Sequence, residues 1–68
     1  MNNDELDKIF VRCFSTESGQ SVLEYLRNTT IEQSTWYPGD DASHGYYREG
    51  RNSIVRDIEK RIKRGRET

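Results

Sequence analysis

The residues that could carry chemistry are few: one cysteine, one histidine and one adjacent pair of aspartates in a chain of 68 residues. Cys13 and His44 cannot supply the three or four ligands of a protein zinc site, so no metal or other cofactor is expected. Asp40 and Asp41 are neighbours, which suits a helix N-cap better than a general acid and base. His44 is expected at the surface, and Cys13 is expected as a buried thiol among apolar residues. The sequence therefore predicts a protein that is not an enzyme and has no catalytic residue.

Aromatic residues are concentrated in one short segment. Four of the seven aromatic side chains of the chain lie close together, namely Trp36, Tyr37, Tyr46 and Tyr47. Such a cluster either supplements a small core or forms an exposed docking surface, because Trp and Tyr are frequent binding anchors. Stacking on nucleic-acid bases is a narrower form of the second interpretation.

Charge is unevenly distributed, although the net charge is only −1. Residues 1–34 carry three basic and six acidic groups, whereas residues 48–66 carry eight basic and three acidic ones. The candidate electrostatic contacts in this basic segment are Lys60, Arg61, Lys63, Arg64 and Arg66. Three interpretations stay open: a solvated helix end that suits the helix dipole, a surface for an acidic protein, and a nucleic-acid footprint.

Composition limits the size of the core. Only 31% of the residues are hydrophobic and 34% are charged, and a chain this short buries only about 60% of its unfolded surface. The apolar residues are nevertheless grouped at helical spacing, which favours a folded domain. No run approaches the roughly 18 apolar residues of a membrane span, and the N-terminus lacks the features of a signal peptide. We therefore expect no membrane association and a location in the cytoplasm where the chain is made.

Helical periodicity predicts three helices, at about residues 3–14, 16–28 and 41–64. The first can be capped by Asn2 or Asn3, and its apolar stripe consists of Leu6, Ile9, Phe10, Cys13 and Phe14. The second can be capped by Ser15 or Thr16, and its inner face consists of Gly19, Val22, Leu23 and Leu26. The third is expected to end near Gly65, with Val55 at the margin of its inner face. That inner face consists of Tyr47, Gly50, Ile54, Ile58 and Ile62.

The connections between these segments define the predicted fold. The first two helices are separated by one or two residues, so they must turn sharply as a helical hairpin or corner. Pro38 and Gly39 mark an irregular loop before the third helix. The predicted class is all-α, a single small three-helix domain with a helical hairpin followed by a longer C-terminal helix. Gly19 and Gly50 are expected either to let helices two and three cross closely or to relieve local bends.

Two stretches of the sequence form a recognisable pattern. The first contains Phe14-Ser15-Thr16, Gly19 and Val22-Leu23, and the second contains Pro38-Gly39-Asp40, Glu49-Gly50-Arg51 and Ile54-Val55. Over about residues 9–58 the chain resembles a family of short tailed-phage proteins typified by a Bordetella phage structural domain. It departs from that family pattern at Tyr46 and Tyr47, where one aromatic residue is expected, and in its long basic tail.

The resemblance implies a phage virion or assembly component that docks onto a larger structural protein such as a portal, tail or capsid subunit. Such a protein would pass from the host cytoplasm into the virion. The resemblance also implies that the motif positions determine the fold first, while Glu49 and Arg51 form either a buried pair or an interface pair. The candidate protein contacts are Trp36, Tyr37, Tyr46, Glu49 and Arg51. The alternatives are a nucleic-acid-binding accessory protein, a small regulator of a host protein, and self-association of the chain.

Overall fold

A computed structural model describes residues 1–32, 38–39 and 42–67 of the chain. It contains the helices α1 (Asn3–Phe14), α2 (Glu17–Thr29) and α3 (Ala42–Glu67), and the described residues include no β-strand. α1 and α2 form a helical hairpin, and α3 is the longer C-terminal helix. The predicted all-α class is therefore confirmed. The proposed caps Asp40 and Asp41 lie outside the described residues.

Side-chain caps fix the start of both helices of the hairpin. The Asn2 side chain accepts a hydrogen bond from the Glu5 amide at 2.8 Å, and the Thr16 hydroxyl accepts one from the Gly19 amide at 2.9 Å. These bonds satisfy amides that the helices cannot pair internally. Only two residues, Ser15 and Thr16, separate the helices, so the chain turns sharply as the sequence predicts.

Gly19 allows α2 to begin directly against the end of α1. A Cβ at this position would overlap the carbonyl oxygen of Cys13 and would lie 2.9 Å from the Cα of Phe14. Both neighbours are backbone atoms, which cannot rotate away as a side chain can. Gly19 therefore marks the corner between α1 and α2, and the prediction that it lies at a crossing of α2 with α3 is wrong.

α3 is the element on which the other two helices pack. α1 packs closely along it, whereas α2 makes far fewer contacts with it. Among the described residues, the buried hydrophobic ones are Val55 and Ile62, both on α3. α1 contributes half-buried residues, among them Phe10 and Phe14, whose rings stack with centroids 6.2 Å apart. The core is thus small and is centred on the second half of α3.

The molecule is more extended than a compact chain of its length. The radius of gyration is 14.3 Å, whereas about 11 Å is expected for 68 residues in a compact domain. The accessible surface is 5075 Å², against about 4,500 Å² for a compact protein of this mass. An open arrangement of this kind leaves apolar side chains uncovered.

The predicted inner face of α3 is only partly correct. Ile62 is buried and Ile58 is half-buried, but Tyr47 and Ile54 are 67% and 64% exposed. The most buried apolar residue is instead Val55, which the sequence placed at the margin. The prediction failed because it assumed one straight stripe, whereas α1 and the end of α2 contact α3 on different faces and at different heights.

Three further predictions about single residues are wrong. Among the described residues, no atom lies within 4 Å of a Cβ built on Gly50, so neither α1 nor α2 crosses α3 there. α3 does not end at Gly65 but continues to Glu67. Cys13 is exposed rather than buried, because the first turn of α2 packs on its carbonyl and not on its thiol. The predicted Pro38–Gly39 turn is present, and Gly39 has φ +84°, a conformation that favours glycine.

Candidate protein interface

A buried carboxylate joins α1 to α3. Asp7 is 4% exposed and accepts hydrogen bonds from Arg61 at 3.1 Å and from Arg64 at 3.2 Å. Arg61 also lies over the Phe10 ring at 5.8 Å, so it is held by a charge and by an aromatic face. Burial of Asp7 is tolerated because two guanidinium groups replace the water that the carboxylate loses.

A glycine lets the two backbones meet beside this carboxylate. A Cβ on Gly65 would lie 2.5 Å from Val11 Cγ2 and 2.7 Å from the backbone oxygen of Asp7. The chain therefore needs a residue without a side chain at this position of α3. Gly65 lies one residue after Arg64, so the close approach and the ion pairs form one seam, which we call the α1–α3 seam.

The C-terminal end of α2 is tied to α3 by hydrogen bonds to its last carbonyls. Arg51 donates to the Thr29 carbonyl at 2.9 Å. Asn52 is 2% exposed, and in the amide orientation that satisfies its neighbours it donates to the carbonyls of Thr30 and Arg48 at 3.2 Å. The Thr29 and Thr30 carbonyls lie at the C-terminal end of α2, where a helix cannot pair its own carbonyls, so α3 caps α2.

From this tie α2 runs antiparallel to α3 and encloses a groove with it. The groove, which we call the α2–α3 groove, has a volume of about 540 Å³. Its apolar floor consists of Phe14, Leu23 and Ile62. Its polar rim consists of Gln20, Glu24, Arg27, Glu59, Lys63, Arg66 and Glu67. None of the 13 residues of α2, all of which the structure describes, is buried.

One end of the groove is closed by an ion pair. Arg27 of α2 donates to Glu59 of α3 and also pairs with Glu32 at 3.0 Å. The hydrogen bond to Glu59, followed by the one to Glu32, raises the pKa of Arg27 above its already high value. The guanidinium therefore stays charged, and the cross-helix link holds at this end. Gln20 and Arg66 line the groove farther from this ion pair.

The predicted electrostatic contacts divide into two groups. Arg61 and Arg64 are engaged by Asp7 in the seam. Lys60, Lys63 and Arg66 are exposed, and of these Lys63 and Arg66 line the α2–α3 groove. The basic segment is therefore not one uniform surface, because part of it stabilises the fold.

The predicted protein contacts are also separated. Trp36 and Tyr37 lie outside the described residues. Tyr46 is 70% exposed near the start of α3. Glu49 accepts a hydrogen bond from Arg56 at 3.2 Å. Arg51 is committed to the Thr29 carbonyl and lies over the Tyr47 ring at 5.6 Å, so Glu49 and Arg51 have different partners.

Sequence reasoning missed the residues that build the seam. Asp7 does not belong to the predicted apolar stripe of the first helix, and the predicted role of Gly65 is to end the third helix. Two signals could have found them. The first is the pair of arginines Arg61 and Arg64, which lie at i and i+3 on one helix face and would be stabilised by a carboxylate. The second is that Gly65 is followed by two residues that favour helix, so it need not end the helix. Asn52 gave no sequence signal of its own.

No helix among the described residues is long and apolar enough to cross a membrane. Within those same residues no set of three histidine, cysteine, aspartate or glutamate side chains is grouped as metal ligands.

The fold and the groove define a small three-helix protein with an apolar cleft between its second and third helices. The sequence model of a family described as Bbp19-like phage protein matches residues 10–67, which is most of the chain. The protein therefore belongs to the family of Bbp19-like phage proteins. Comparisons with curated proteins and with solved structures gave no match.

Proposed function

We propose that the protein is a non-enzymatic assembly component of a phage particle, which binds a helix of a larger phage structural protein in the α2–α3 groove. The portal, tail and capsid subunits are the candidate partners. The observation that carries the proposal is the groove itself, because a chain with so few apolar residues leaves three of them, Phe14, Leu23 and Ile62, as the floor of an open cleft.

The dimensions of the groove suit an amphipathic helix. A volume of about 540 Å³ is enough for several side chains. The rim carries both signs of charge, with Glu24 and Glu67 alongside Lys63 and Arg66. Such a rim suits a partner helix with an apolar stripe flanked by polar residues, the common mode of helix-in-groove recognition. Docking would also give α2 the buried face that it lacks in the isolated chain.

Engagement of Arg61 and Arg64 by Asp7 argues against nucleic acid as the main partner. Neutralising phosphates requires exposed cations, and two of the five candidate residues are already paired within the fold. The remaining cations do not form one continuous set, since Lys63 and Arg66 line the groove and Lys60 does not.

This difference supplies a matched test. In the phage that encodes the chain, Lys63→Glu should lower the amount of protein recovered in purified particles, because it alters the groove rim. Lys60→Glu reverses the same charge on the same helix outside the groove and should leave that amount unchanged. Quantitative mass spectrometry of particles and assembly intermediates measures both. Equal losses for the two variants, together with salt-sensitive DNA binding, would favour nucleic acid instead.

Photo-crosslinking locates the partner. A photoreactive residue at Gln20, which is exposed on the groove rim, should crosslink to a phage structural protein during assembly. The same residue at Tyr25, 65% exposed and outside the groove, should not. Absence of the chain from both particles and assembly intermediates would overturn the proposal.

A further inference from the structure

The two arginines that line the α2–α3 groove differ in their partners. Arg27 pairs with two carboxylates, Glu59 across the groove and Glu32 beyond the end of its own helix. Arg66 lines the same groove and is exposed. It forms no hydrogen bond or ion pair with any residue that the structure describes. One arginine of the groove is therefore neutralised within the chain and the other is not.

The spacing along the two helices places Gln20 opposite Arg66. Gln20 precedes Arg27 by seven residues, and Arg66 follows Glu59 by seven. Seven residues are about two helical turns, so each step returns to nearly the same face of its helix. Because α2 and α3 run antiparallel, both steps lead the same way along the groove, and both residues line it. Gln20 therefore stands to Arg66 as the Glu59 carboxylate stands to Arg27.

No carboxylate of the chain replaces the one that is missing there. The Gln20 side chain is neutral and donates to the Ser15 carbonyl at 3.3 Å, at the corner between α1 and α2. Glu24 lies one turn nearer the closed end and forms no ion pair with the described residues. Glu67 directly follows Arg66, and adjacent residues of a helix do not face each other.

Arg66 is also close to the apolar floor. Around the α3 axis it lies about 40° from Ile62, whereas Lys63 lies about 100° from Ile62. A helix that covers the floor would therefore remove water from Arg66 before it reached Lys63. A guanidinium that loses water needs a compensating partner, and the planar group suits a carboxylate because it can donate two parallel hydrogen bonds.

We propose that the partner helix carries an acidic side chain beside its apolar stripe, and that this carboxylate binds Arg66. The inference rests on the proposed function, because it specifies the partner of the same groove. The carboxylate occupies the position opposite Arg66 that Gln20 leaves without charge. Each arginine of the groove then has a carboxylate, Arg27 from its own chain and Arg66 from the partner.

An acidic helix fits this arrangement better than a nucleic-acid phosphate. A phosphate can pair with Arg66, but a sugar–phosphate backbone has no apolar stripe to cover Phe14 and Leu23 on the floor. A helix supplies the apolar stripe and the carboxylate on neighbouring positions of one surface. The floor and the unpaired arginine therefore favour the same class of partner.

The substitution Gln20→Glu separates this role of Arg66 from a structural one. The new carboxylate supplies the missing partner from within the chain, so it should raise the midpoint of thermal unfolding by up to about 4 °C. It should also weaken partner binding, because Arg66 is then already neutralised. A purely structural role predicts that stability and binding change in the same direction.

Fluorescence anisotropy with two designed helical peptides tests the preference on the full chain. Both peptides have leucine at heptad positions a and d, and they differ only in having glutamate or glutamine at every e position. The glutamate peptide should bind the wild type about ten-fold more tightly than the glutamine peptide. Arg66→Gln and Gln20→Glu should each reduce this ratio to about two, the residual effect of a surface charge such as Lys63.

Arg12→Gln is the matched control. Arg12 is exposed in the last turn of α1, as Arg66 is in the last turn of α3, but it lies outside the groove. Its removal should leave the ten-fold ratio unchanged. Both arginine variants should fold, with midpoints within about 4 °C of the wild type, because each loses only a favourable charge at a helix end.

Two results overturn the acidic preference: no difference between the peptides on the wild type, including no binding of either, or an unchanged ratio in Arg66→Gln. Particle incorporation that depends on Lys63 while the peptides show no preference would reject the acidic preference and retain the groove proposal. A clear preference, with the chain absent from particles and assembly intermediates, would reject the assembly role and retain the preference.

Discussion

The two sides of α3 are built in opposite ways. On one side, the α1–α3 seam is closed by a buried carboxylate, two arginines and a glycine that lets the backbones touch. On the other, the α2–α3 groove has an apolar floor and stays open except at the Arg27–Glu59 link. One helix therefore combines a closed polar contact with an open apolar one.

This contrast explains how a chain with a meagre core can fold and still leave apolar surface for a partner. A polar contact of exact geometry specifies how α1 sits on α3, because alternative arrangements would leave the Asp7 charge buried without its arginines. The fold can then leave Phe14 and Leu23 only half-buried beside Ile62 on the floor of the groove. The seam should consequently be the part most sensitive to substitution, and the groove the part most tolerant in the isolated chain.

The largest expected effect is at the centre of the seam. Asp7→Ala should lower the free energy of unfolding by about 3 kcal/mol, the lower end for a broken buried ion pair, because Arg64 is half exposed and can turn to solvent. A chain of this length has only about 3–10 kcal/mol in total. Urea unfolding followed by circular dichroism measures the change.

Asp4→Ala is the control for this substitution. Asp4 lies in the first turn of the same helix and is exposed, so its loss should cost only about 0.5 kcal/mol through the helix dipole. Equal costs at Asp4 and Asp7 would mean that the seam contributes no more than a surface charge.

The next effect sets two glycines of α3 against each other. Gly65→Ala should destabilise the fold by about 1–2 kcal/mol, because the new methyl group meets the Asp7 backbone. Gly50→Ala has open space and should stabilise the monomer by up to about 1 kcal/mol through helix propensity. Thermal unfolding at low chain concentration compares them. A shift of the thermal unfolding midpoint in the same direction for both variants would contradict the predicted difference between the two glycines.

Local signals in the sequence were sufficient for the secondary structure. Asn2 and Thr16 are strong N-caps, the apolar spacing identifies α1 and α2, and the short connection forces the hairpin. Each of these features depends on residues within a few positions of one another. Periodicity and capping therefore predicted the helices to within a few residues.

Long-range geometry could not be predicted in the same way. Whether Gly50 or Gly65 lies at a crossing depends on the angle at which α1 meets α3, and no local pattern encodes that angle. Asp7 and Arg61 are 54 positions apart, so their pairing is visible only in the folded chain. The groove could not be predicted either, because its floor combines single residues from all three helices.

A smaller effect is expected where α3 caps α2. Asn52→Ala removes the donor to the Thr30 carbonyl inside a buried position and should cost about 1–2 kcal/mol. Ser53→Ala, the adjacent exposed position whose hydroxyl bonds only within its own helix, should change stability by less than about 0.5 kcal/mol. Hydrogen exchange of the last α2 amides measures the local loss of stability at the end of α2. Unchanged exchange in Asn52→Ala would mean that Asn52 does not hold the end of α2 on α3.

The smallest effect should be at the closed end of the groove. Arg27→Gln removes the link to Glu59 while keeping a long polar side chain, and both partners are substantially exposed. The midpoint of thermal unfolding should fall slightly at low salt, and the difference from the wild type should vanish near 1 M salt, where the Debye length is about 3 Å. The raised pKa of Arg27 keeps it charged across the working range, so salt rather than pH is the informative variable. A lower midpoint that persists at high salt would mean that packing, not charge, holds α2 to α3 at this end. The contrast between the groove and the α1–α3 seam would then be contradicted.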